Sequence, residues 1–380
     1  MAAPRVFLTG FPGFLGSALI ERLLARGDGP VACLVQPAYR DQAERRAADL
    51  VEGVEAGESE TIGNGLEVDD LAATVGDDPI QLYEGDITEP DLGLGDALED
   101  LGSVEELYHL AAVYDLGVDR GLAEAVNVRG TEHVLDVADG LDVDRFQYVS
   151  TCYVSGRYDG VFTEYHLEEG QTFNNHYEAT KYLAEVAVQE RMVEGLPATI
   201  YRPAIVVGDS QRGETDKYDG PYYLLRWLLA QPRWCSLSFT LPGSAETELN
   251  VVPRDFVIDT IAHLSGREDT VGEVYQLCDP APLTVPQLVD ALATAAGHRT
   301  VTVPTTKSIG RATMERLAAR GAPLEPATLD YLDHPTRYAA PNTRRALEGS
   351  GLECPPFDSY VDRLVAYVLN NPDVGDEAMV

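Results

Sequence analysis

Short apolar runs alternate with segments of helical periodicity through most of this sequence. The first run ends in Gly10, and the segment after it places Leu15, Leu19 and Leu23 on one face of a predicted helix. A β-branched run at residues 31–35 follows and predicts a second buried strand, parallel to the first because a helix separates the two. The sequence therefore opens with a predicted βαβ unit.

Further apolar runs predict more strands of the same sheet. Helical segments, such as residues 121–140, separate them. The predicted strands lie within residues 80–86, 104–112, 145–151, 198–208 and 273–279. This alternation predicts an α/β fold with a doubly wound, Rossmann-like parallel sheet.

The pattern also predicts two domains. Residues 1–206 form the predicted dinucleotide-binding domain, with an acidic insertion at 37–79 that holds one helix. Glycine, proline and aromatic residues become frequent after it, and residues 273–279 are expected to return to its sheet. Residues 207–272 and 280–380 would then form a smaller substrate-binding cap that is discontinuous in sequence.

Charge excludes several classes of partner. The chain has 63 acidic and 28 basic residues and a formal net charge of −35. This charge repels phosphate backbones and anionic lipids, so we expect neither nucleic acid nor a membrane as partner. The chain has only three lysines, and its carboxylates are spread evenly, a composition that resembles haloarchaeal proteins; the lysines are Lys181, Lys217 and Lys307. In molar salt the Debye length is about 3 Å, so repulsion among the carboxylates is screened. An ordinary acidic protein is the alternative.

The expected location is cytoplasmic. No stretch approaches a membrane span in length and apolarity, and no charged-then-apolar leader opens the sequence. The five cysteines stand far apart without a CxxC pair, so we expect no metal site.

The segment TGFPGFLG carries glycines with GxxGxxG spacing between a predicted strand and a predicted helix. Gly10 permits the tight turn, Gly13 lets backbone approach a pyrophosphate, and Gly16 lets the helix pack on the strand. The N–H groups at the helix N-terminus attract phosphate. The loop residues expected to bind a dinucleotide are Gly10, Phe11, Gly13, Phe14, Leu15 and Gly16.

Gln36 ends the second predicted strand, where NAD-preferring sites usually carry an acidic residue that binds the ribose 2′-hydroxyl. No carboxylate stands there to repel a 2′-phosphate, and Arg40 lies nearby to pair with one. The sequence therefore favours NADP(H) over NAD(H). The alternative is that Arg40 only begins a solvated helix.

The third and fourth predicted strands end in residues expected near the cofactor. Asp86 and Ile87 are placed to meet the adenine ring, although Asp86 has capping of the next turn as an alternative. His109 is interpreted as a half-buried, hydrogen-bonded histidine, with a role in the site as the alternative. The residues expected to let backbone pass beneath the cofactor are Leu110, Ala111 and Ala112.

Tyr177 and Lys181 lie four residues apart in a predicted helix, so both side chains project from one face. Composition alone gives such a pair roughly 0.15 times in this lysine-poor chain. A neighbouring ammonium stabilises a phenolate and lowers the phenol pKa from its usual value near 10. We expect Tyr177 to protonate a carbonyl oxygen during hydride transfer, and Lys181 also to bind the nicotinamide ribose.

A hydroxyl at the end of the fifth predicted strand completes this group. Thr151 is placed to hydrogen-bond the substrate oxygen near Tyr177, and Ser150 is the competing candidate. The alternative is that these hydroxyls satisfy local backbone groups. Asn127 is expected to fix backbone geometry behind the site.

Seven motifs occur in an order that resembles the extended short-chain dehydrogenases/reductases. They read TGFPGFLG, GDI, HLAA, NVRGT, YVSTCYVSG, YEATK and YRPAIVVGDS, and the resemblance covers residues 4–280. The resemblance implies a catalytic triad of Thr151, Tyr177 and Lys181, and places Arg202 and Pro203 in the turn beside the nicotinamide. Asn127 is included with the cofactor-binding residues. The family often dimerises through helices that flank the sheet, so a homodimer is implied too.

Within that family the sequence is similar to the thioester-reductase and fatty-acyl reductase branch. The similar segments are NNHYEATKYLAE, RPAIVVGDSQRGETDKYDGPYY and NVVPRDFVID. Members of that branch reduce activated acyl groups. Gln36 departs from the arginine that often ends the second strand there, and the substrate stays open.

The predicted function is NADP-dependent reduction of a small-molecule aldehyde, ketone or acyl thioester. The alternative is an NAD-dependent nucleotide-sugar epimerase, whose YxxSK motif is not matched at Ala179 and Thr180. A sugar 4,6-dehydratase needs an Asp-Glu pair where Cys152 and Tyr153 stand. A non-catalytic NADP sensor on this fold would typically lack the tyrosine–lysine pair.

Aromatic residues are expected to line the substrate pocket, with burial in the core as the alternative. They are Tyr114, Tyr218, Tyr222, Tyr223 and Trp227.

Overall fold

The computed structural model describes residues 4–55, 78–241, 244–320 and 325–374. The middle of the predicted insertion at 37–79 lies outside these residues, while its predicted helix is present. All structural statements below refer to the described ranges.

Seven parallel strands form the central sheet, in the spatial order β12-β7-β5-β4-β1-β2-β3. They are β1 (Val6–Thr9), β2 (Val31–Val35), β3 (Ile80–Glu84), β4 (Glu106–His109), β5 (Arg145–Val149), β7 (Ala198–Pro203) and β12 (Val274–Leu277). The shorter strands are β6 (Gly160–Phe162), β8 (Ile205–Val207), β9 (Ser236–Thr240), β10 (Glu248–Leu249), β11 (Val251–Pro253), β13 (Leu283–Thr284), β14 (Thr300–Pro304) and β15 (Thr336–Tyr338). The doubly wound α/β fold is confirmed, and 274–277 return to the sheet as expected.

Helices cover both faces of this sheet. They are α1 (Phe14–Arg26), α2 (Arg40–Glu55), α3 (Ala97–Asp100), α4 (Arg120–Ala123), α5 (Gly130–Leu141), α6 (His176–Glu194), α7 (Pro221–Leu229), α8 (Arg254–Ser265), α9 (Val285–Ala295), α10 (Lys307–Ala318), α11 (Pro341–Ala346) and α12 (Val361–Asn370). One turn of π-helix, Glu124–Arg129, joins α4 to α5. Short 3₁₀ turns connect other elements.

The sheet side chains divide between two cores. Val6 and Leu8 point to the face covered by α1 and α8, whereas Phe7 points to the face covered by α5 and α6. Successive side chains of a strand alternate between faces, and both faces here are buried. This explains why the strands are mostly apolar and do not alternate regularly between apolar and polar positions.

The cap has a core of its own, built by α7, α9 and α12 through residues such as Tyr222, Leu288 and Leu364. Its predicted limits need one correction, because α8 falls within the segment assigned to the cap. That helix packs instead against α1 over the central sheet, through Ile258 and Ile261. The apolar face of α8 is therefore buried against the sheet and does not contribute to the cap.

Two negative findings apply to the described ranges. No helix there combines the length and apolarity needed to cross a membrane. No group of three or more histidine, cysteine and acidic side chains there is arranged to hold a metal ion.

Candidate active site

A cavity of about 670 Å³ opens at the carboxyl ends of the central strands. The glycine-rich loop, the ends of β2 to β5 and β7, and residues 215–217 contribute to its wall. Open α/β sheets bind ligands at this edge, and the volume falls in the range of small-molecule and cofactor sites.

The glycine-rich loop forms its floor, and its glycines are sterically required. Gly10 has φ of +100°, and a Cβ there would lie 2.9 Å from the backbone nitrogen of Ala111. A Cβ on Gly16 would lie 2.4 Å from the Gly10 carbonyl oxygen. Gly13 caps α1 without a side chain, so no side-chain oxygen occupies the helix N-terminus. All six predicted loop residues line the cavity.

Gln36, Asp86 and Ile87 line the cavity at the ends of β2 and β3. The Gln36 amide donates to Asp86 Oδ2 over 3.0 Å. Asp86 Oδ1 accepts from the backbone N–H and the hydroxyl of Thr88, each at 2.8 Å. The carboxylate therefore caps the following turn, the alternative given above, while keeping a place in the cavity wall.

Arg40 does not line the cavity, in contrast to the prediction. Its Nε donates to Glu44 over 2.8 Å, and its Nη1 donates to the Leu82 carbonyl over 3.2 Å. The cause is helix geometry, because residues 40 and 44 lie one turn apart on a face of α2 that points away.

The end of β4 lies beneath the cavity as expected, with Leu110, Ala111 and Ala112 in its lining. His109 is 1% exposed rather than half-buried. Its two ring nitrogens bond the hydroxyls of Thr9 and Thr131, at 2.8 and 3.0 Å. Burial lowers the His109 pKa to about 3, and the nearby Lys181 charge adds to this. The imidazole is therefore neutral at physiological pH.

Thr151, Tyr177 and Lys181 meet in the cavity wall, the first from the end of β5 and the other two from α6. Burial raises the pKa of Tyr177 well above its usual value, while a hydrogen bond with Thr151 opposes the rise. The Thr151 hydroxyl also accepts from the Tyr153 N–H at 3.2 Å. The phenol is therefore protonated at neutral pH.

Lys181 contacts groups other than the Tyr177 phenol. Its Nζ donates to the Tyr148 hydroxyl and to the Val149 carbonyl, both at 2.9 Å. Burial lowers the pKa of Lys181 to about 7, and the Glu185 carboxylate opposes this. The expected depression of the Tyr177 pKa by Lys181 is thus not seen in this geometry, where burial dominates.

Behind the triad lies a buried ion pair. Ser150, the competing candidate, donates its hydroxyl hydrogen to Glu185 Oε2 over 2.5 Å. Arg202 and Glu185 pair at 2.5 Å with both side chains fully buried. Ser150 lines the cavity but its hydroxyl is engaged, and Arg202 does not line it, contrary to expectation. Pro203 does line it.

Asn127 also lies behind the cavity rather than in its wall. Its Oδ1 accepts from the Val113 N–H at 2.9 Å, and its Nδ2 donates to the Thr180 hydroxyl at 3.0 Å. Asn127 thereby fixes the backbone after β4 against α6, as predicted. It was also assigned to the cofactor-binding residues, but it does not line the cavity.

A smaller apolar pocket of about 60 Å³ adjoins the cavity at Tyr177, which lines both. Its walls come mainly from the cap. They are Tyr114, Leu116, Tyr153, Tyr177, Ile205, Gly220, Pro221, Leu224, Leu249, Thr328, Tyr331 and Leu332.

The predicted aromatic lining is mostly wrong. Of the five aromatics only Tyr114 lines the cavity or the pocket, and its ring meets Tyr177 edge-on at 4.9 Å. Tyr218 and Tyr222 belong to the cap core, and Trp227 stacks on Phe239. Burial in the core, the stated alternative, therefore holds for Tyr218 and Tyr222.

Several charged residues of the cavity wall were missed. Arg46 pairs with Asp216 at 2.7 Å, and the Lys217 Nζ lies 3.1 Å from Asp219 and 3.2 Å from the Tyr114 carbonyl oxygen. All four charged groups line the cavity. The scarcity of lysine was the only sequence signal, because it makes Lys217 conspicuous.

Residues 8–261, more than half of the 380, match the NAD-binding family described as male sterility protein. The glycine-rich loop and the Thr151, Tyr177 and Lys181 positions fall inside this stretch. The chain belongs to this family. It is an extended short-chain dehydrogenase/reductase of the thioester-reductase-like branch.

Curated relatives of this family member are much longer proteins. Aldehyde reductase lnaA of Aspergillus flavus is 28% identical over 389 residues, covering 93% of this chain and 35% of that protein. Glycine betaine reductase ATRR of Emericella nidulans is 29% identical over 304 residues, covering 77% of this chain and 22% of that protein. The chain spans well under half the length of either relative.

Solved structures share the fold. The terminal R domain of the myxalamid PKS-NRPS pathway has a TM-score of 0.77 at 24% identity, covering 98% of this chain and 92% of that one. UDP-glucuronic acid 4-epimerase of Bacillus cereus has a TM-score of 0.62 at 18% identity, covering 97% and 98%. At these identities the likeness concerns the fold alone.

Proposed function

We propose that this oxidoreductase uses NADPH to reduce an acyl thioester, aldehyde or ketone, with Tyr177 as proton donor. The observation that carries the proposal is that Tyr177 lines both the large cavity and the apolar pocket of the cap. A carbonyl group whose apolar substituent fills that pocket would then lie between the phenol and the cofactor site. The Aspergillus relative named an aldehyde reductase supports the same class of reaction.

The residues present fit a dinucleotide. Gly10 and Gly16 leave no room for a Cβ, and the uncapped start of α1 faces the same loop, which suits a pyrophosphate. Leu110, Ala111 and Ala112 line the cavity where β4 ends, and the two alanines leave room for a cofactor there. A bound nicotinamide supplies the hydride.

Tyr177 then has a defined task. As hydride adds to the carbonyl carbon, the phenol gives its proton to the carbonyl oxygen, which completes an alcohol or, from a thioester, a hemithioacetal that releases thiol and leaves an aldehyde. The raised pKa of Tyr177 suits an acid that must arrive protonated. Lys181, held by Tyr148 and Val149, would bind the nicotinamide ribose, and Thr151 would orient the substrate oxygen.

Preference for NADPH is part of the proposal. Gln36 places an amide rather than a carboxylate at the end of β2, so the side chain of this position does not itself repel a 2′-phosphate. Cytoplasmic location, dimerisation and a requirement for high salt remain predictions from the sequence. We therefore specify molar KCl for the assays.

The test follows NADPH or NADH fluorescence while a long-chain acyl-CoA, its aldehyde and a UDP-hexose are supplied in turn. We expect oxidation of NADPH with the acyl-CoA or the aldehyde. Conversion of the UDP-hexose without net consumption of NADH would instead establish an epimerase, the fold's other candidate. NADPH binding without turnover of any substrate would indicate a non-catalytic sensor.

A further inference from the structure

A fully buried tyrosine on β5 supplies one of the two acceptors that hold Lys181. Tyr148 lies three residues before Thr151, and the Lys181 Nζ donates to its hydroxyl over 2.9 Å. The same Nζ lies 4.5 Å from the centre of the tyrosine ring, and the His109 ring stacks on that ring at a centroid distance of 5.6 Å. Tyr148 does not line the cavity, so it can act on a bound cofactor only through Lys181.

The hydrogen bonds around Tyr148 determine which way its hydroxyl points. The Thr131 hydroxyl forms a hydrogen bond with Tyr148, and it donates its own hydrogen to the Asn127 carbonyl over 2.7 Å. Because a hydroxyl has a single hydrogen, Thr131 can only accept from Tyr148. The Tyr148 hydroxyl therefore donates to Thr131, and its oxygen lone pairs are left to accept from the Lys181 Nζ.

The Lys181 ammonium has three N–H donors. Two of them are used, by the Tyr148 hydroxyl and by the Val149 carbonyl, both at 2.9 Å. Within the described part of the chain no third acceptor contacts Nζ. Two fixed acceptors determine the rotation of the ammonium about its Cε–Nζ bond, and Lys181 lines the cavity. The third N–H is therefore the one that remains for a bound cofactor.

The other titratable groups near this ammonium do not stabilise its charge by direct contact. They are His109 on β4, and Tyr177 and Glu185 on α6. The imidazole and the phenol are uncharged at neutral pH. The Glu185 carboxylate favours the charged form of Lys181, but its oxygens bond the Arg202 guanidinium and the Ser150 hydroxyl. Tyr148 is thus the side chain that stabilises the ammonium in direct contact.

We infer that Tyr148 is a positioning residue whose hydroxyl stabilises the charged form of Lys181 and directs its third N–H to the nicotinamide ribose. The inference deepens the proposed function, because it rests on the ribose-binding role given there to Lys181. Tyr148→Phe removes the hydroxyl alone, keeps the ring beside His109, and leaves the Thr131 hydroxyl its bond to the Asn127 carbonyl. The variant therefore separates the role of the hydroxyl from that of the ring.

The scarcity of lysine allows a direct measurement in molar KCl. With lysine labelled by ¹³C at Cε, the protein gives three lysine signals, and the signal absent from Lys181→Arg belongs to Lys181. Burial lowers the pKa of Lys181 to about 7. We expect Tyr148→Phe to lower this pKa further by about one pH unit, because the charged form loses an acceptor worth roughly a factor of ten. An unchanged Lys181 pKa in Tyr148→Phe would overturn the inference.

Titration of NADPH supplies a second readout. Tyr148→Phe should weaken NADPH binding roughly tenfold at pH 8 but less than threefold at pH 5.5, where Lys181 is charged in both proteins. Equal weakening at both pH values would show a purely structural role and would also overturn the inference. Tyr201→Phe is the matched control, because Tyr201 is fully buried on the neighbouring strand β7 and its hydroxyl donates to Gln147 over 2.9 Å. It should change neither the Lys181 pKa nor the NADPH affinity.

Failure of the proposed function has a different signature. Absence of turnover with every substrate would contradict the proposed reduction, and tighter binding of NADH by the unaltered protein would contradict the proposed preference for NADPH. The Lys181 pKa is measured without any cofactor, so it tests the role of Tyr148 in either case.

Discussion

The two ends of the large cavity are built in different ways. At the glycine-rich end, backbone of the loop and of the end of β4 forms the wall, and a Cβ added to Gly10 or Gly16 would lie 2.9 or 2.4 Å from other backbone. At the cap end, side chains from segments more than two hundred residues apart, such as Tyr114 and Tyr331, enclose the apolar pocket. The cofactor end therefore tolerates almost no change in shape, whereas single side-chain substitutions can reshape the substrate end.

The largest effect is expected at the glycine end. Gly16→Ala forces a backbone displacement, because the new Cβ would lie 2.4 Å from the Gly10 carbonyl oxygen. We expect loss of measurable cofactor binding and destabilisation of about 1–3 kcal/mol, measured by NADPH titration and urea unfolding. Gly53→Ala in α2 is the control, since no atom lies within 4 Å of its Cβ, and it should stabilise the protein by up to about 1 kcal/mol. Normal NADPH binding by Gly16→Ala would contradict this picture of the loop.

A second prediction concerns the buried histidine beneath the cofactor end. His109 takes up a proton at about pH 6.5 when unfolded but only at about 3 when folded, so its stabilising contribution is present above pH 6.5 and lost as the pH falls toward 3. The loss approaches about 1.4 kcal/mol per pH unit within that window. His109→Gln does not titrate, so its unfolding free energy should fall less steeply with acid. The exposed His176→Gln is the control, and equal slopes for His109→Gln and the unaltered protein would refute the argument.

The smallest effect belongs to the cap end. Leu224→Trp fills the apolar pocket of about 60 Å³ and should raise KM for a long-chain substrate roughly tenfold or more, with the NADPH dissociation constant unchanged. Steady-state kinetics with short and long acyl chains measure the effect. Leu369→Trp, at a 49% exposed position on α12, is the matched control. An unchanged KM for every chain length would remove the pocket from the substrate site.

The same contrast explains what the sequence could predict. The seven sheet strands, the glycine-rich loop and the Tyr177 and Lys181 positions follow from local spacing, because each element buries a regular set of side chains. Arg40 was predicted to face the cofactor, but the sequence does not determine which side of α2 faces the cavity. Arg46 lines the cavity instead. Trp227 was predicted to line the substrate pocket, but the spacing of aromatic residues on α7 does not show which part of the cap covers each of them. Its ring stacks on Phe239.

Tertiary contacts also decided the polar groups around the triad. No sequence pattern reports the distance between Arg202 and Glu185, so their fully buried ion pair was missed and Arg202 was placed at the nicotinamide. Likewise Lys181 was expected to act directly on Tyr177, whereas β5 supplies its hydrogen-bond acceptors, Tyr148 and Val149. Such partners lie in different elements and become neighbours only on folding.

The proposed role of Tyr177 is to give the proton where the cofactor cavity meets the apolar pocket. It is tested most directly by the kcat of Tyr177→Phe for NADPH-dependent reduction of an acyl-CoA or aldehyde, with NADPH binding measured on the same preparation. We predict a kcat lower by roughly 10²- to 10⁴-fold with NADPH binding retained, and full activity in the exposed control Tyr165→Phe, which is 68% accessible. Wild-type turnover by Tyr177→Phe would show that another group donates the proton.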